Sequence, residues 1–465
     1  MRARPAAIIL ALFLAEMTVT FESTMIYAAL PTLVREFGDP IRAGWLITSH
    51  LLIAAATAPI AGRLGDIRGR KHLIMLLLGV ALVGSVLSAV TENFLLILLG
   101  RAMQGLSAAV LPLSIGVLRE SLPEDKVPMG IGLLTTALGA GSAAGLVLGG
   151  VIIDHLPWHW LFVASALLLA LSMVAVSAFV PSRPGTPTRQ PIDWVEGLLP
   201  VPAIAAILFG ISLTKQEGWQ SPQVLGLIAA GVLLLGWWAR RSLAAAEPFI
   251  DLRLFAQRDF AVANAVSVLL AMGTMQVVYV FSNYVQSPTW TAVGLGMTAT
   301  MAGLAKLPSN FTSFFAGPFA GWLTRRVGHR STVLMALAIA TVGWLAALAM
   351  PDRLLQVIVL LCVISFGTTM MQAAIPTIIV ACAPPNRTSE AAGSMSVVRG
   401  IASALGAQLI AVMLASDTIT APGGDGAYPS ADGYRLTMIW IAGLTAAGLG
   451  IGLFLNKRLA PVRAA

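Results

Sequence analysis

The chain has 465 residues, of which 57% are hydrophobic and 11% charged, and its formal net charge is +8. A water-soluble domain carries about 25% charged residues, so this composition excludes one and indicates a polytopic membrane protein. Two cysteines, Cys362 and Cys382, and five scattered histidines give neither a disulfide framework nor a metal site.

Arg2 and Arg4 precede an apolar run. The run is too long for a secretory leader, is followed by no small-residue cleavage site, and is interrupted by Glu16 and Glu22. It reads as a retained first helix. A spanning helix needs about 20 mainly apolar residues. Six spans are predicted near 7–30, 44–62, 73–91, 94–118, 130–153 and 160–180. A turn-rich linker, Pro181-Ser182-Arg183-Pro184-Gly185-Thr186-Pro187, follows, then two spans near 195–213 and 223–239. Six more lie near 260–286, 297–322, 332–350, 354–381, 391–415 and 436–456. The expected fold class is all-α, with 14 transmembrane helices. Residues 1–180 form one six-helix bundle, 181–259 a linker with two additional helices, and 260–465 a second bundle.

Charge gives the orientation. With the N-terminus inside, 21 of the 29 Lys and Arg residues fall on inner segments and five on outer loops. Arg101, Lys306 and Arg399 lie within spans. This bias places both termini in the cytoplasm. It also accounts for the basic charge, so a nucleic-acid partner is not expected.

Between the second and third spans lies Gly62-Arg63-Leu64-Gly65-Asp66-Ile67-Arg68-Gly69-Arg70-Lys71. Its glycines permit two helix ends and a tight turn to approach closely. Asp66 beside Arg68, Arg70 and Lys71 suits an ion-paired hinge, against the plainer reading of a basic cytoplasmic loop. The spacing resembles the loop between the second and third helices of the major facilitator superfamily. Ile67 departs from that pattern, which has Arg there. The stretch Gly321-Trp322-Leu323-Thr324-Arg325-Arg326-Val327-Gly328-His329-Arg330 repeats it in the second half, with Arg325 in place of Asp66. Two such halves around two extra helices resemble the fourteen-helix branch of that superfamily. In that fold the halves rock around a midplane site.

Charge inside a span marks function by default. Glu22 lies about 22 Å along the first helix from its inner start, and Arg101 about 10 Å from the outer end of the fourth. The two depths are similar. Glu22-Ser23-Thr24-Met25-Ile26-Tyr27-Ala28-Ala29-Leu30-Pro31 resembles the first-helix signature of drug:proton antiporters, with Glu22 for Asp and Tyr27 for Asn. Leu99-Gly100-Arg101-Ala102-Met103-Gln104-Gly105 resembles their fourth-helix signature. The resemblance implies that Glu22 is the protonatable carboxylate and Arg101 its partner in coupling. The alternative is a static ion pair that locks helices. Glu16 sits six residues earlier, far around the helix from Glu22, so the two are not expected to face one point. It either lines the cavity or pairs with a hydroxyl of a neighbouring helix. In the fifth span, Gly141, Gly145, Gly149 and Gly150 resemble the antiporter glycine signature and allow close backbone packing. Leu146 stands where that signature has proline.

Lys306, near Asn310, and Arg399 make bases exceed acids within the spans by one. An anionic or zwitterionic substrate is therefore credible, and so is a pair between Lys306 and Glu16. His50 either titrates near neutral pH or packs helices. Gln276, Tyr279 and Asn283 in the ninth span and Gln372 in the twelfth either face substrate or pack. No phosphate-binding loop, nucleophile triad or metal motif is present in the sequence, so an enzyme and ATP drive are not expected. The leading expectation is a monomeric secondary exporter in the cell inner membrane, exchanging small amphipathic compounds for protons, driven by the proton gradient without a cofactor. A dedicated carrier of an organic anion or endogenous metabolite is the rival. A non-transporting membrane sensor or scaffold is the rival of another class.

Overall fold

The computed structural model describes residues 5–123, 126–185, 194–245, 252–382, 388–420 and 427–456. Of the residues named above, Arg2, Arg4, Thr186 and Pro187 lie outside them, as do Arg189, Arg387, Lys457, Arg458 and Arg463 from the 21 inner cations. The helices, in chain order, are α1 (Pro5–Phe37), α2 (Pro40–Arg68), α3 (Arg70–Ala89), α4 (Phe94–Gly105), α5 (Val110–Ser121), α6 (Val127–His155), α7 (His159–Phe179), α8 (Trp194–Leu198) and α9 (Pro200–Glu217). They continue as α10 (Pro222–Ala244), α11 (Arg258–Met272), α12 (Val277–Gln286), α13 (Ala299–Val327), α14 (His329–Ala347), α15 (Leu354–Cys382), α16 (Thr388–Ser416) and α17 (Ala431–Gly452). A two-stranded hairpin, β1 (Thr418–Thr420) with β2 (Ala427–Pro429), pairs Ile419 with Tyr428 in the connection before α17. The sequence pattern did not announce it.

Among the described residues, twelve helices are long and apolar enough to cross a membrane. A thirteenth counts if Pro40–Thr57 and Ile60–Arg68, inclined at 51°, form one span. The remaining expected span, the tenth, corresponds to α13, which is 29 residues long. Lys306, Asn310, Pro308 and Pro318 make it too polar to qualify by composition. The structure thus gives an all-helical bundle with twelve or thirteen recognisable spans, short of the fourteen expected.

Two expected spans are interrupted. The fourth is α4, a 3-10 turn at Leu106–Ala109, then α5. The ninth breaks after Met272, passes through a 3-10 turn at Thr274–Gln276, and resumes as α12. Helix ends leave carbonyls without intrahelical donors, and Gln276 answers this one. Its amide nitrogen donates to the Ala271 carbonyl at 3.0 Å and to the Ser403 carbonyl at 3.0 Å.

The chain divides into two compact units. One comprises the chain up to Phe37, Arg42–Leu198 and Thr298–Leu304; the other comprises Gly38–Ile41, Leu199–Met297 and the chain from Ala305. Each has its own apolar core. Leu12, Leu78, Leu113 and Leu169 lie in the first, and Phe260, Leu337, Met370 and Ile378 in the second. The two additional helices, α9 and α10, group with the second unit rather than forming a separate insertion. Gln408 of α16 donates to Ser212 of α9 at 2.8 Å.

Candidate transport site

The first unit contains a buried polar network centred on α1. Glu22 is fully buried. Its Oε1 accepts from Ser165 of α7 at 2.8 Å and Ser85 of α3 at 3.2 Å, and its Oε2 accepts from Ser107 at 3.2 Å. Ser107 lies in the 3-10 turn between α4 and α5, so three separate elements converge on one carboxylate. Gln104 extends the network by donating to Ser85 at 2.7 Å.

Arg101, also fully buried, makes no direct ion pair with that carboxylate. Its Nη1 donates to the backbone carbonyl of Glu22 at 3.0 Å and to Gln104 Oε1 at 2.7 Å. Its Nε donates to the Leu46 carbonyl at 3.0 Å. Nη2 meets no acceptor among the described residues. The guanidinium therefore fixes the backbone under Glu22 and ties α1, α2 and α4 together. The carboxylate itself rests on neutral hydroxyls, each able to donate or accept. Such a group exchanges a proton with less rearrangement than one locked in a bidentate ion pair.

Glu16 is likewise buried, and its Oε1 accepts from Ser114 of α5 at 3.0 Å. Along this stretch each acid meets a different serine, Ser107 for Glu22 and Ser114 for Glu16. Both serines, however, lie on the same strip, because Ser107 and Ser114 are seven residues apart. Seven residues bring a helix back to nearly the same face. Between the acids, Thr18 bonds Ser172 of α7 at 2.9 Å. Buried polar groups thus follow α1 from Glu22 to Glu16.

The charged loop closes the other end of this unit. Gly69, at φ +91°, separates α2 from α3, a conformation that L side chains resist. Arg70 donates to Asp66 Oδ1 at 2.7 Å and pairs with Glu120 of α5 at 2.9 Å. Lys71 donates to the Ser177 carbonyl of α7 at 2.8 Å. A Cβ at Gly116 would strike the Arg70 guanidinium, and one at Gly65 would strike Leu113. Gly62 has open space around it.

Glycines of α6 seat that helix against α1. A Cβ at Gly141 would meet the Met17 carbonyl, one at Gly145 would meet Thr24, and one at Gly149 would lie 3.3 Å from the Met25 carbonyl. Gly150 instead faces Ala299, at the start of α13. Asp154, one turn on, was missed by sequence reasoning. Its carboxylate accepts from the backbone nitrogens of Ala299 at 3.0 Å and Thr300 at 2.8 Å, an N-terminal cap 145 residues away in sequence. Only the helix start at Ala299 hints at a need for such a group.

In the second unit the predicted cavity residues separate. Lys306, buried on α13, donates to Ser309 at 2.6 Å and to Ser365 of α15 at 2.7 Å. Lys306 and Glu16 thus each use hydroxyls of their own unit. Asn310 leaves its amide nitrogen without an acceptor among the described residues. Gln276 is a structural clamp rather than a free cavity group, as described above. Asn283 donates to the Tyr279 carbonyl at 3.0 Å, and both residues are buried. Gln372 is exposed, whereas its neighbours Met370 and Met371 are buried. Arg399 is partly buried on α16. In the first unit, His50 is buried, with Nδ1 unpartnered among the described residues.

Residues 12–407 match the Major Facilitator Superfamily. The lincomycin resistance protein LmrB of Listeria monocytogenes is 25% identical over 465 residues, covering 98% of this chain and 97% of that protein. Multidrug resistance protein 3 of Bacillus subtilis is 26% identical, covering 73% of this chain and 65% of its own. Among solved structures, a bacterial homologue of the human lysosomal transporter Spinster superposes with TM-score 0.69 at 14% identity, covering 98% and 97% of the two chains. A peptide transporter of the POT family gives 0.69 at 14%, covering 96% and 93%.

Proposed function

This chain belongs to the Major Facilitator Superfamily, and from that premise we propose that it is a proton-coupled exporter of small amphipathic compounds. The observation that carries the reading is the environment of Glu22. A buried carboxylate held by Ser85, Ser107 and Ser165, with Arg101 on its backbone, suits a proton station. When Glu22 is ionised, Ser85 and Ser165 donate to it, and Ser107 shares its one proton between Glu22 and the Gln104 carbonyl, 2.7 Å away. When it is protonated, it donates to one hydroxyl, which must turn. Arg101 keeps its own bonds to Leu46 and Gln104 in both states, so the helix frame stays fixed while the hydroxyls reorient. The printed names of the relatives, lincomycin and multidrug resistance, support a drug-like substrate class.

Exchange requires that proton and substrate oppose each other, and that opposition is reciprocal. Substrate therefore binds more weakly as pH falls and Glu22 takes up its proton. The Arg70 bridge between Asp66 and Glu120 joins α2, α3 and α5 and sets the frame that rearranges during the cycle. Fourteen spans, cytoplasmic termini, an inner-membrane location and a monomer complete the proposal.

The test is efflux from proteoliposomes with an imposed proton gradient, using lincomycin and ethidium as probes. Gradient-dependent export of either compound by the wild type, and its loss in Glu22→Gln, is the expected result. Gradient-independent movement, or none, overturns the proposal.

A further inference from the structure

The second unit contains a buried cation that the proton mechanism does not use. Lys306 has three N–H donors. Two are taken, by Ser309 Oγ at 2.6 Å and Ser365 Oγ at 2.7 Å. Both partners are neutral, and no carboxylate of the described residues lies within 4.0 Å of the ammonium. Ser309 cannot turn its own proton elsewhere without cost, because it donates to the Lys306 carbonyl at 2.8 Å. It is therefore held as an acceptor toward the ammonium. The third ammonium donor remains.

One helical turn further on α13, Asn310 presents a second donor. Its Nδ2 is buried and has no acceptor among the described residues. Residues at i and i+4 lie side by side on a helix, about 6 Å apart between Cβ atoms. The site thus brings together a positive charge and an amide donor without an anion to receive them. Buried charges are retained when a counter-charge or a ligand compensates them. Beyond Asn310 the same helix exposes Phe311, Phe314 and Phe315, whose rings pack edge to face.

We propose that Lys306, Asn310 and Ser365 form an anion-binding subsite that receives the carboxylate of an amphipathic organic acid, whose apolar part extends along α13 toward Phe314, about one turn beyond Asn310 on the same side of the helix. Lys306 supplies the charge, Asn310 a second hydrogen bond, and the two serines hold the ammonium in place. The inference rests on the transport reading for the identity of the ligand as cargo. It assigns that cargo a negative head, which the proton site in the first unit does not require.

The experiment is equilibrium binding to the purified full chain in detergent, without a gradient, using 1-naphthylacetate and its neutral counterpart 1-naphthylacetamide. The wild type is expected to prefer the acid by about tenfold or more, the scale of a hydrogen bond to a charged group. Lys306→Met should abolish the preference by weakening only the acid, while amide binding reports that the variant is folded. Lys306→Arg should keep the preference. Asn310→Leu, which strands no buried charge, should narrow it by about threefold and carries the test should Lys306→Met not fold. Equal affinity for acid and amide in the wild type overturns the subsite, as does binding of neither. An unchanged preference in Lys306→Met or Asn310→Leu overturns it too. Because no gradient is used, failure of proton coupling at Glu22 leaves these readouts unmoved, and the two proposals fail separately.

Discussion

The two units repeat one backbone device and differ in where they keep their acids. Gly69 and Gly328, at φ +91° and +84°, make the same break between consecutive helices. In the first unit the break carries Asp66, and Arg70 joins it to Glu120. In the second, Arg325 takes the position of Asp66, and Arg326 stacks over Trp322 at 4.5 Å. The interiors repeat the contrast. Glu16, Glu22 and Glu196 are buried in the first unit, whereas the buried charge of the second is Lys306, with no buried acid among the described residues. Duplicated architecture has diverged into one half with buried acids and another whose buried charge is a lysine. Geometry is shared because glycine turns and helix packing dictate it; charge is free to diverge because the backbone does not depend on its sign.

The strongest way to break this comparison is to neutralise Glu22. The amide of Glu22→Gln still meets Ser85, Ser107 and Ser165, so the packing survives, but it cannot release a proton. Gradient-driven export should fall by at least about 100-fold, the lower range for a group that moves a proton. Substrate binding should persist and lose the pH dependence expected of the wild type between about pH 5 and 9, a window above the ordinary carboxylate range that spans histidine titration. Glu22→Asp should retain partial activity. A Gln variant with the wild-type pH profile would move the proton site elsewhere.

Glu22 and Arg101 were legible in the sequence because a charge inside an apolar run stands out. The hydroxyls that define their chemistry were not. Serine and threonine in spans commonly bond their own helix carbonyl, as Thr20 does to Glu16 and Thr57 to Ile53. Nothing local separates those from Ser85 or Ser165, which reach Glu22 from elements 63 and 143 residues away. Similar depth and the resemblance of both helices to antiporter signatures made Arg101 the partner of Glu22. Depth does not specify which oxygen a guanidinium meets, and the backbone carbonyl proved to be the one. Gln276 read as a cavity group because the break before it, at Gly273, is hidden in a continuous apolar pattern. Asp154 escaped notice for the same reason as the serines: its partners lie across the sequence. The two additional helices were visible by hydropathy, but their grouping with the second unit depends on contacts such as that of Gln408 with Ser212.

A middle-sized effect is expected at the charged loops, where the same position carries opposite charge in the two units. Asp66→Asn removes one of the two acids held by Arg70, and Glu120 keeps the other contact. Exposed pairs contribute up to about 1 kcal/mol, so initial export rates should fall about threefold to fivefold while expression and insertion stay normal. Asp66→Asn combined with Glu120→Gln should fall further than either single change. Arg325→Ala, in the second copy, should change rates by less than about twofold, since its loop contains no acid to anchor. Equal losses at Asp66 and Arg325 would show that the two loops share one role despite their charges.

The smallest effect is expected at Glu16, and it tests whether burial alone makes an acid part of the proton machinery. Glu16 is as buried as Glu22 but accepts from one hydroxyl, Ser114, rather than three. An amide at this position can still accept from Ser114, so Glu16→Gln preserves the α1–α5 contact at a cost near about 0.5 kcal/mol, the low end for a neutral hydrogen bond. Export should change by about twofold or less, and the pH profile of substrate binding should stay that of the wild type. Ser114→Ala removes the partner instead and leaves a buried carboxylate without its donor, so it should be the more damaging of the two changes. The order matters: a proton carrier is hurt most by losing its acid, a packing group by losing its partner. If Glu16→Gln instead abolishes the pH dependence that Glu22→Gln leaves intact, the proton station lies one and a half turns deeper along α1, and the serines around Glu22 serve packing.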